Sequence, residues 1–262
     1  MKIHYLAKTI AFLALLVLLP VFPLSALPEF TLGGGGGILL GGLFTNYTIN
    51  ADEDTQYGPT WMKMTQEVQQ FNIGAYLFFD AAYAELTVNI RHGFNAYKEN
   101  AVILQGGSTQ IDREGTGSET MLGFTLLGKY PFRLNNSFLI YPLAGIEYQI
   151  ALAEKRKPDG GKEHNRTSGI TEFDDTRKYS LSTWNSFFID IGAGMDFYFR
   201  SPFYFRAEFI YSFRLITNYE RAAINYLKEE FGISQPKLFA DPGMRGLTHG
   251  PELRLALGYR FK

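Results

Sequence analysis

The 262-residue chain has no cysteine, only two tryptophans and only four histidines. Without cysteine there is no disulfide framework, no thiolate-bound zinc or iron–sulfur cluster and no thiol nucleophile. A lipoprotein is excluded as well, because nothing can be acylated. Charge of one sign is also lacking: 25 basic against 26 acidic side chains leave −1, which points away from a nucleic-acid partner. Past residue 26 no run of 18 apolar residues occurs, so a mature chain that stays in a membrane must cross it with strands. Glycine (27), phenylalanine (23) and tyrosine (16) are what the chain does have. So many aromatics exclude disorder. A mean hydropathy of −0.09 argues against a helical membrane protein. High glycine and aromatics at ordinary hydropathy suit a β-barrel.

The first 26 residues read as an address. Lys2 and Lys8 precede the apolar run Ile10–Leu19, and Pro20, Pro23 and Leu24-Ser25-Ala26 follow. This is the pattern of a secretory signal, with cleavage expected after Ala26. The run is too short for a membrane-spanning helix. Residues 1–26 are therefore expected to be a cleaved signal peptide and 27–262 the mature domain. Loss of the two lysines leaves 23 basic and 26 acidic side chains, a charge of −3.

The mature region alternates at period two, the strand signal. Ala84, Leu86, Val88 and Ile90 oppose Glu85, Thr87, Asn89 and Arg91. The same pattern runs through Phe187–Phe199, Phe203–Leu215 and Glu252–Phe261, and more weakly through Ile38–Ile49, Phe71–Asp80, Leu122–Phe132 and Phe138–Leu152. These eight strands, mostly 9–15 residues long, fit a tilted membrane strand. Joins near Ala81-Ala82, Arg133–Ser137 and Arg200–Pro202 are tight, while 50–67, 94–119, 153–183 and 217–250 are long. Short turns on one side and long loops on the other are the wiring of an outer-membrane barrel. The fold class is all-β: an eight-stranded antiparallel up-and-down transmembrane barrel. A two-residue turn at Ala81-Ala82 would pair Leu77 with Leu86 and Asn72 with Arg91. A loop centred on Asn135 would pair Lys129 with Tyr141, and Phe199 opposite Phe203 would set Asp196 against Arg206.

A soluble barrel would turn its apolar face inward. Three features choose the inverse. Aromatics gather beside the short turns, among them Phe79, Tyr130, Phe132, Phe138, Phe199, Phe203, Tyr259 and Phe261, as an interfacial girdle would. The polar face is rich in glycine, as a narrow lumen requires. Opposite charges share that face: Glu85, Arg91, Lys129, Glu147, Asp190, Asp196, Arg206, Glu208, Arg214, Arg254 and Arg260, with Glu252 beside them. Buried in a lumen, these side chains need to pair, and Asp196 with Arg206 is the expected ion pair.

The segment from Leu253 to Phe261, with Gly258-Tyr259 near its end and Lys262 after it, resembles the C-terminal insertion signal of bacterial outer-membrane proteins. Tyr141–Tyr148 and Ile191–Asp196 resemble mid-barrel strands of the same class. The layout as a whole is similar to the small barrels of the OmpA transmembrane domain, OmpX and OmpW, and to spirochaetal outer-membrane proteins of this size. The resemblance implies an integral outer-membrane protein, in contact with the bilayer and inserted by the barrel assembly machinery through its last strand.

Signals for chemistry are few. His92, His164 and His249 are not at metal-ligand spacing, and His92 has no serine or acid placed beside it as a barrel hydrolase would need. Gly33–Gly37 lacks the lysine and Ser/Thr of a phosphate loop and reads as a flexible lead into the first strand. Asp52-Glu53-Asp54 and Asp174-Asp175 lack calcium-loop spacing. No catalytic, cofactor or metal residue is expected, and the chain reads as no enzyme. Lys155–Arg166 reads as a polar, mobile loop. Tyr219–Phe231 has helical spacing and reads as a short amphipathic helix near the mouth. Trp61, Met62 and Met64 read as an outer interfacial anchor; resemblance to OmpW implies instead a hydrophobic port. Eight strands leave no open aqueous pore. The expected role is surface-exposed, structural or binding host or small molecules through the loops. A narrow channel for small, apolar solutes is the second reading and a lipid-modifying enzyme the third.

Overall fold

The computed structural model describes residues 32–55, 58–81, 83–104, 108–158, 164–167, 185–200, 202–217 and 245–261. The signal segment and the expected helix at Tyr219–Phe231 lie outside the described residues. Eight long strands are present: β1 (Leu32–Thr55), β2 (Gly58–Ala81), β3 (Ala84–Leu104), β4 (Ser108–Lys129), β6 (Phe138–Pro158), β8 (Ser186–Arg200), β9 (Phe203–Thr217) and β10 (Arg245–Arg260). Two short pieces, β5 (Phe132–Arg133) and β7 (His164–Thr167), both pair with β6. Each long strand is antiparallel to its sequence neighbours, and β1 pairs with β10, so the sheet closes into an up-and-down barrel.

The closure has a definite stagger. From Asp196 the paired residues run through Arg206, Ala256, Gly37, Tyr76, Asn89, Gly123 and Gln149 and return to β8 at Ser186, ten residues away. Eight strands with that shear tilt about 40° and enclose a backbone cylinder about 16 Å across. Side chains from opposite walls can therefore meet on the axis.

Several sequence expectations are corrected. Five strands, β1 to β4 and β6, have 21–24 residues, well beyond the 9–15 expected. The segments 50–67 and 94–119, read as loops, are the paired arms of two long hairpins. Outward positions of these arms such as Lys63, Glu67, Lys98 and Glu114 are charged, so the apolar half of the alternation is missing. Lys155–Arg166, read as a loop, contributes Lys155–Pro158 to β6 and His164–Arg166 to β7. The glycine run Gly33–Gly37 is no flexible lead: it lies inside β1, paired with β2 and β10 along its whole length.

Two registers differ by two residues from those expected. Leu77 pairs with Val88 and Asn72 with Gly93, while Lys129 pairs with Leu143 rather than Tyr141. The second turn is set by the Asn135 carboxamide, whose Oδ1 accepts from the amides of Ser137 and Phe138. Asp196 does oppose Arg206, but an irregularity after Tyr198 puts Arg200, and not Phe199, opposite Phe203.

Candidate functional site

Alternation along the strands sets side chains in or out, and between the short turns and the level of Phe44, Phe71 and Phe94 the charged ones are in. Leu77, Phe79, Leu86, Ile90, Phe124, Phe209 and Leu257 are exposed, whereas Glu85, Arg91, Lys129, Glu147, Asp190, Asp196, Arg206, Glu208, Glu252 and Arg254 are buried. At the short-turn end an aromatic ring surrounds the wall. Phe79 stacks on Phe261, and Phe138 meets Phe197 and Phe203 meets Tyr259 at 4.7 and 5.2 Å between centroids. A second ring at the far end holds Phe44, Phe71 and Phe94, all exposed. An apolar belt between aromatic girdles, around a charged interior, is stable only with hydrocarbon outside. The chain is a transmembrane β-barrel.

Its lumen is layered. Nearest the short turns lies Arg206, with no exposed surface, three carboxylates bonded to it and a fourth, Glu208, at 3.9 Å. Its Nε and Nη2 grip Asp196 in a fork at 2.7 and 2.8 Å, and its other donors reach Asp80 and Glu85. Glu85 is on β3, four strands round from β9, so this side chain spans the barrel. Lys129 Nζ donates to Asp80 at 2.6 Å and lies 3.6 Å from the Glu85 carboxylate. The Tyr141 hydroxyl, with one proton to give, lies 2.9 Å from Glu208 and 3.2 Å from Asp196. The rings of Phe78, Tyr204 and Tyr141 surround the guanidinium, their centroids at 4.3, 5.3 and 5.6 Å.

Next comes a largely apolar layer: Leu39, Tyr76, Phe78 and Ala256 on one side, Leu127, Leu143 and Ile210 on the other. Beyond it a second set of charges gathers. Arg91 bonds Glu147 and, at 3.0 Å, Glu252 on the far wall; Arg254 Nε donates to Glu252 at 2.6 Å. Asn89 ties the set together, donating to Glu147 at 3.0 Å and accepting from Arg91 Nε at 3.1 Å.

Of the sequence-selected charges, the structure thus gathers Glu85, Lys129, Asp196, Arg206 and Glu208 in one set and Arg91, Glu147 and Arg254 in another. Asp190 is buried near the second set, but neither of its carboxylate oxygens has a protein hydrogen-bond partner. Arg214 lies higher, with its guanidinium 5.4 Å from the Phe188 ring, and Arg260 sits at the short-turn end of β10. Asp80 was not among the selected charges, although its alternation with Leu77 and Phe79 sets it inward. Trp61, Met62 and Met64 lie in the raised arm of β2, paired with Leu104, Ile103 and Ala101. Trp61 is ten residues beyond Phe71, about 34 Å of strand. His92 and His249 face outward near the far ring, bonded to Thr120 Oγ1 and to the Tyr211 hydroxyl.

No family model matches the chain, and no curated protein matches it. Among solved structures it is similar to the attachment invasion locus protein Ail of Yersinia pestis, solved with the heparin analogue sucrose octasulfate. Identity is 14% over 87% of this chain and 99% of that one, with a TM-score of 0.29. Neisserial surface protein A is 9% identical over 86% of this chain and 97% of that one, with a TM-score of 0.35. A Pseudomonas aeruginosa FadL homologue is 7% identical over 89% and 91%, with a TM-score of 0.22.

The lumen carries more acid than base. Among the described residues, Asp80, Glu85, Glu147, Glu154, Asp190, Asp196, Glu208 and Glu252 are buried against only Arg91, Lys129, Arg206 and Arg254. Asp190 is the acid whose oxygens both lack a partner. An unpaired buried carboxylate costs stability, and an amide of the same shape does not carry that charge. Asp190→Asn is therefore expected to stabilise the barrel by about 1–2 kcal/mol at pH 8, read as a raised urea midpoint in detergent. A lowered midpoint would show that the charge is compensated.

Proposed function

We propose that the protein is a surface-display barrel of the bacterial outer membrane. Its lumen is sealed, and a raised sheet outside the bilayer presents the contact surface for a host or small-molecule partner. The observation that carries this reading is the height to which one side of the wall stays paired. Four strands, β1 to β4, run on past the Phe44–Phe71–Phe94 ring and stay paired to the hairpin ends, Thr55 with Gly58 and Leu104 with Ser108. β6 follows β4 upward as far as Pro158 opposite Gly115. Membrane crossing alone does not need those extra turns of ladder. The sheet is ordered by its own backbone bonds and by pairs such as Lys98 Nζ to Glu114 at 2.9 Å, an ion pair that raises the Lys98 pKa.

A channel is disfavoured by Arg206, which joins opposite walls. Insertion fits the assembly machinery, since β10 carries Leu253, Leu257 and Tyr259 on its outer face and the exposed Phe261 follows it.

The lack of cysteine makes the test direct. Single substitutions Lys63→Cys and Lys98→Cys in the raised sheet are expected to react with a membrane-impermeant maleimide on intact cells. Asn136→Cys in a short turn is expected to react only after lysis. Labelling of Asn136→Cys on intact cells would refute the orientation, and stable single-channel steps of the purified protein in planar bilayers would refute the sealed lumen.

A further inference from the structure

We propose that the outer half of the lumen holds a small chamber that binds a neutral, hydroxyl-rich solute, a saccharide of one or two units. Up to the level of Arg91 and Glu252, side chains cross the barrel axis. Above it three hydrogen bonds keep to the wall. Gln70 Nε2 donates to Asn72 Oδ1 and to Glu119 Oε1, each at 2.6 Å, and Thr45 and Thr248 share a hydroxyl bond at 2.9 Å. Glycines let the amides lie flat. A Cβ at Gly93 would stand 2.2 Å from Gln70 Nε2, and one at Gly117 would stand 2.6 Å from Asn95 Oδ1.

Solvent accessibility marks the space. Thr45, Gln70, Asn95, Gly117 and Glu119 face inward yet are partly accessible. Below them Leu43, Asn72 and Met121 are buried, and above them Gln66 and Tyr97 are buried. On β2 and β3 the accessible layer thus lies between two buried ones. It lies at the level of the outer aromatic ring, because Phe44, Phe71 and Phe94 are the chain neighbours of Thr45, Gln70 and Asn95.

The lining decides the ligand class. Amides and hydroxyls both donate and accept, and the charged groups beside them, Glu119 and the buried Glu154 paired with it on β6, are acids. The Glu119 carboxylate already accepts from Gln70. An anion would face Glu119, and an apolar solute would leave the amides unsatisfied. Asn95 is partly accessible while its Oδ1 is a buried acceptor without a hydrogen-bond partner, so a turn of the carboxamide would bring that acceptor to a hydroxyl. This inference goes beyond surface display and does not depend on it.

Saturation-transfer NMR on the refolded full chain in deuterated dodecylphosphocholine micelles tests it, with N-acetylglucosamine as probe and glucuronate as its anionic counterpart. Transfer to the neutral sugar is expected, with little to the acid. Asn95→Leu and Thr45→Val, near in size to the native residues, are each expected to weaken binding about tenfold. Heat-dependent gel mobility reports whether each variant folds, and Thr45→Val carries the test if Asn95→Leu does not. The proposal is overturned if the native protein shows no transfer to N-acetylglucosamine, if glucuronate competes equally, or if binding survives in the folded variants.

Discussion

Replacing Arg206 with leucine is expected to lower the unfolding free energy of the barrel by about 3–5 kcal/mol. The size follows from what the guanidinium leaves behind. Asp80, Glu85 and Asp196 converge on it in a space walled by Phe78, Tyr141 and Tyr204. Only Lys129 would remain to neutralise Asp80 and Glu85, and Asp196 would keep only the Tyr141 hydroxyl among the bonds described here. Water cannot readily replace the lost donors in a lumen filled to the axis. Urea titration of the protein in lipid vesicles, followed by gel mobility without heating, measures the loss. A change below about 1 kcal/mol would place the cluster in contact with solvent.

The same geometry breaks a symmetry that an isolated pair would have. Were Arg206 and Asp196 only each other's partners, either single change would cost more than the double. Arg206 has three acidic partners, so Asp196→Ala leaves it engaged and is the milder change. The double change still strands Asp80 and Glu85 and is expected to lie close to Arg206→Leu. A double substitution as stable as the native protein would reduce the cluster to one pair.

The inside-out barrel is legible wherever one face meets lipid and the other meets the lumen. Leu253–Phe261 and Ala84–Arg91 show it plainly, since hydrocarbon and a charged interior impose opposite chemistry on alternate residues. In the arms from Asn50 to Glu67 and from Phe94 to Glu119 that contrast is gone, so strand residues look like loop. The two-residue register errors have the same root: a shift of two keeps every side chain on its face, and only the turn geometry, here the Asn135 cap, excludes it. Inward aromatics blurred the pattern further. Tyr76 and Phe78 alternate with Leu77 and Phe79, so the stretch before Asp80 is apolar on both faces and the acid at its end went unselected. Which charges meet across the axis is not written in any one strand. Arg206 reaches Glu85 because the sheet closes with a ten-residue stagger, a property of all eight registers together.

Gly37→Ala is expected to abolish the folded, heat-modifiable form, although it adds a single methyl group. The Cβ would stand 2.0 Å from the Leu255 carbonyl oxygen and 2.6 Å from the Ala256 Cα, both backbone atoms of the neighbouring strand. Relief requires β1 to move away from β10. Those strands are the two that close the cylinder, and Gly37 pairs with Ala256 on one side and Tyr76 on the other. Overpacking in an adaptable core costs about 1–3 kcal/mol. Here the obstacle is backbone and the strain falls on the closing seam, so the loss should exceed that range. Gly128→Ala is the matched control. Its Cβ would meet only the Ala144 carbonyl oxygen, at 3.6 Å, on the outward face. That variant is expected to fold with native mobility and an unfolding midpoint within about 0.5 kcal/mol of the parent. If the two substitutions behaved alike, the glycine run would reflect composition alone. A difference between them would assign Gly33–Gly37 its structural role, which is to let the first strand lie against the last while Phe78 and Tyr204 fill the space that larger side chains at Gly35 and Gly33 would have taken.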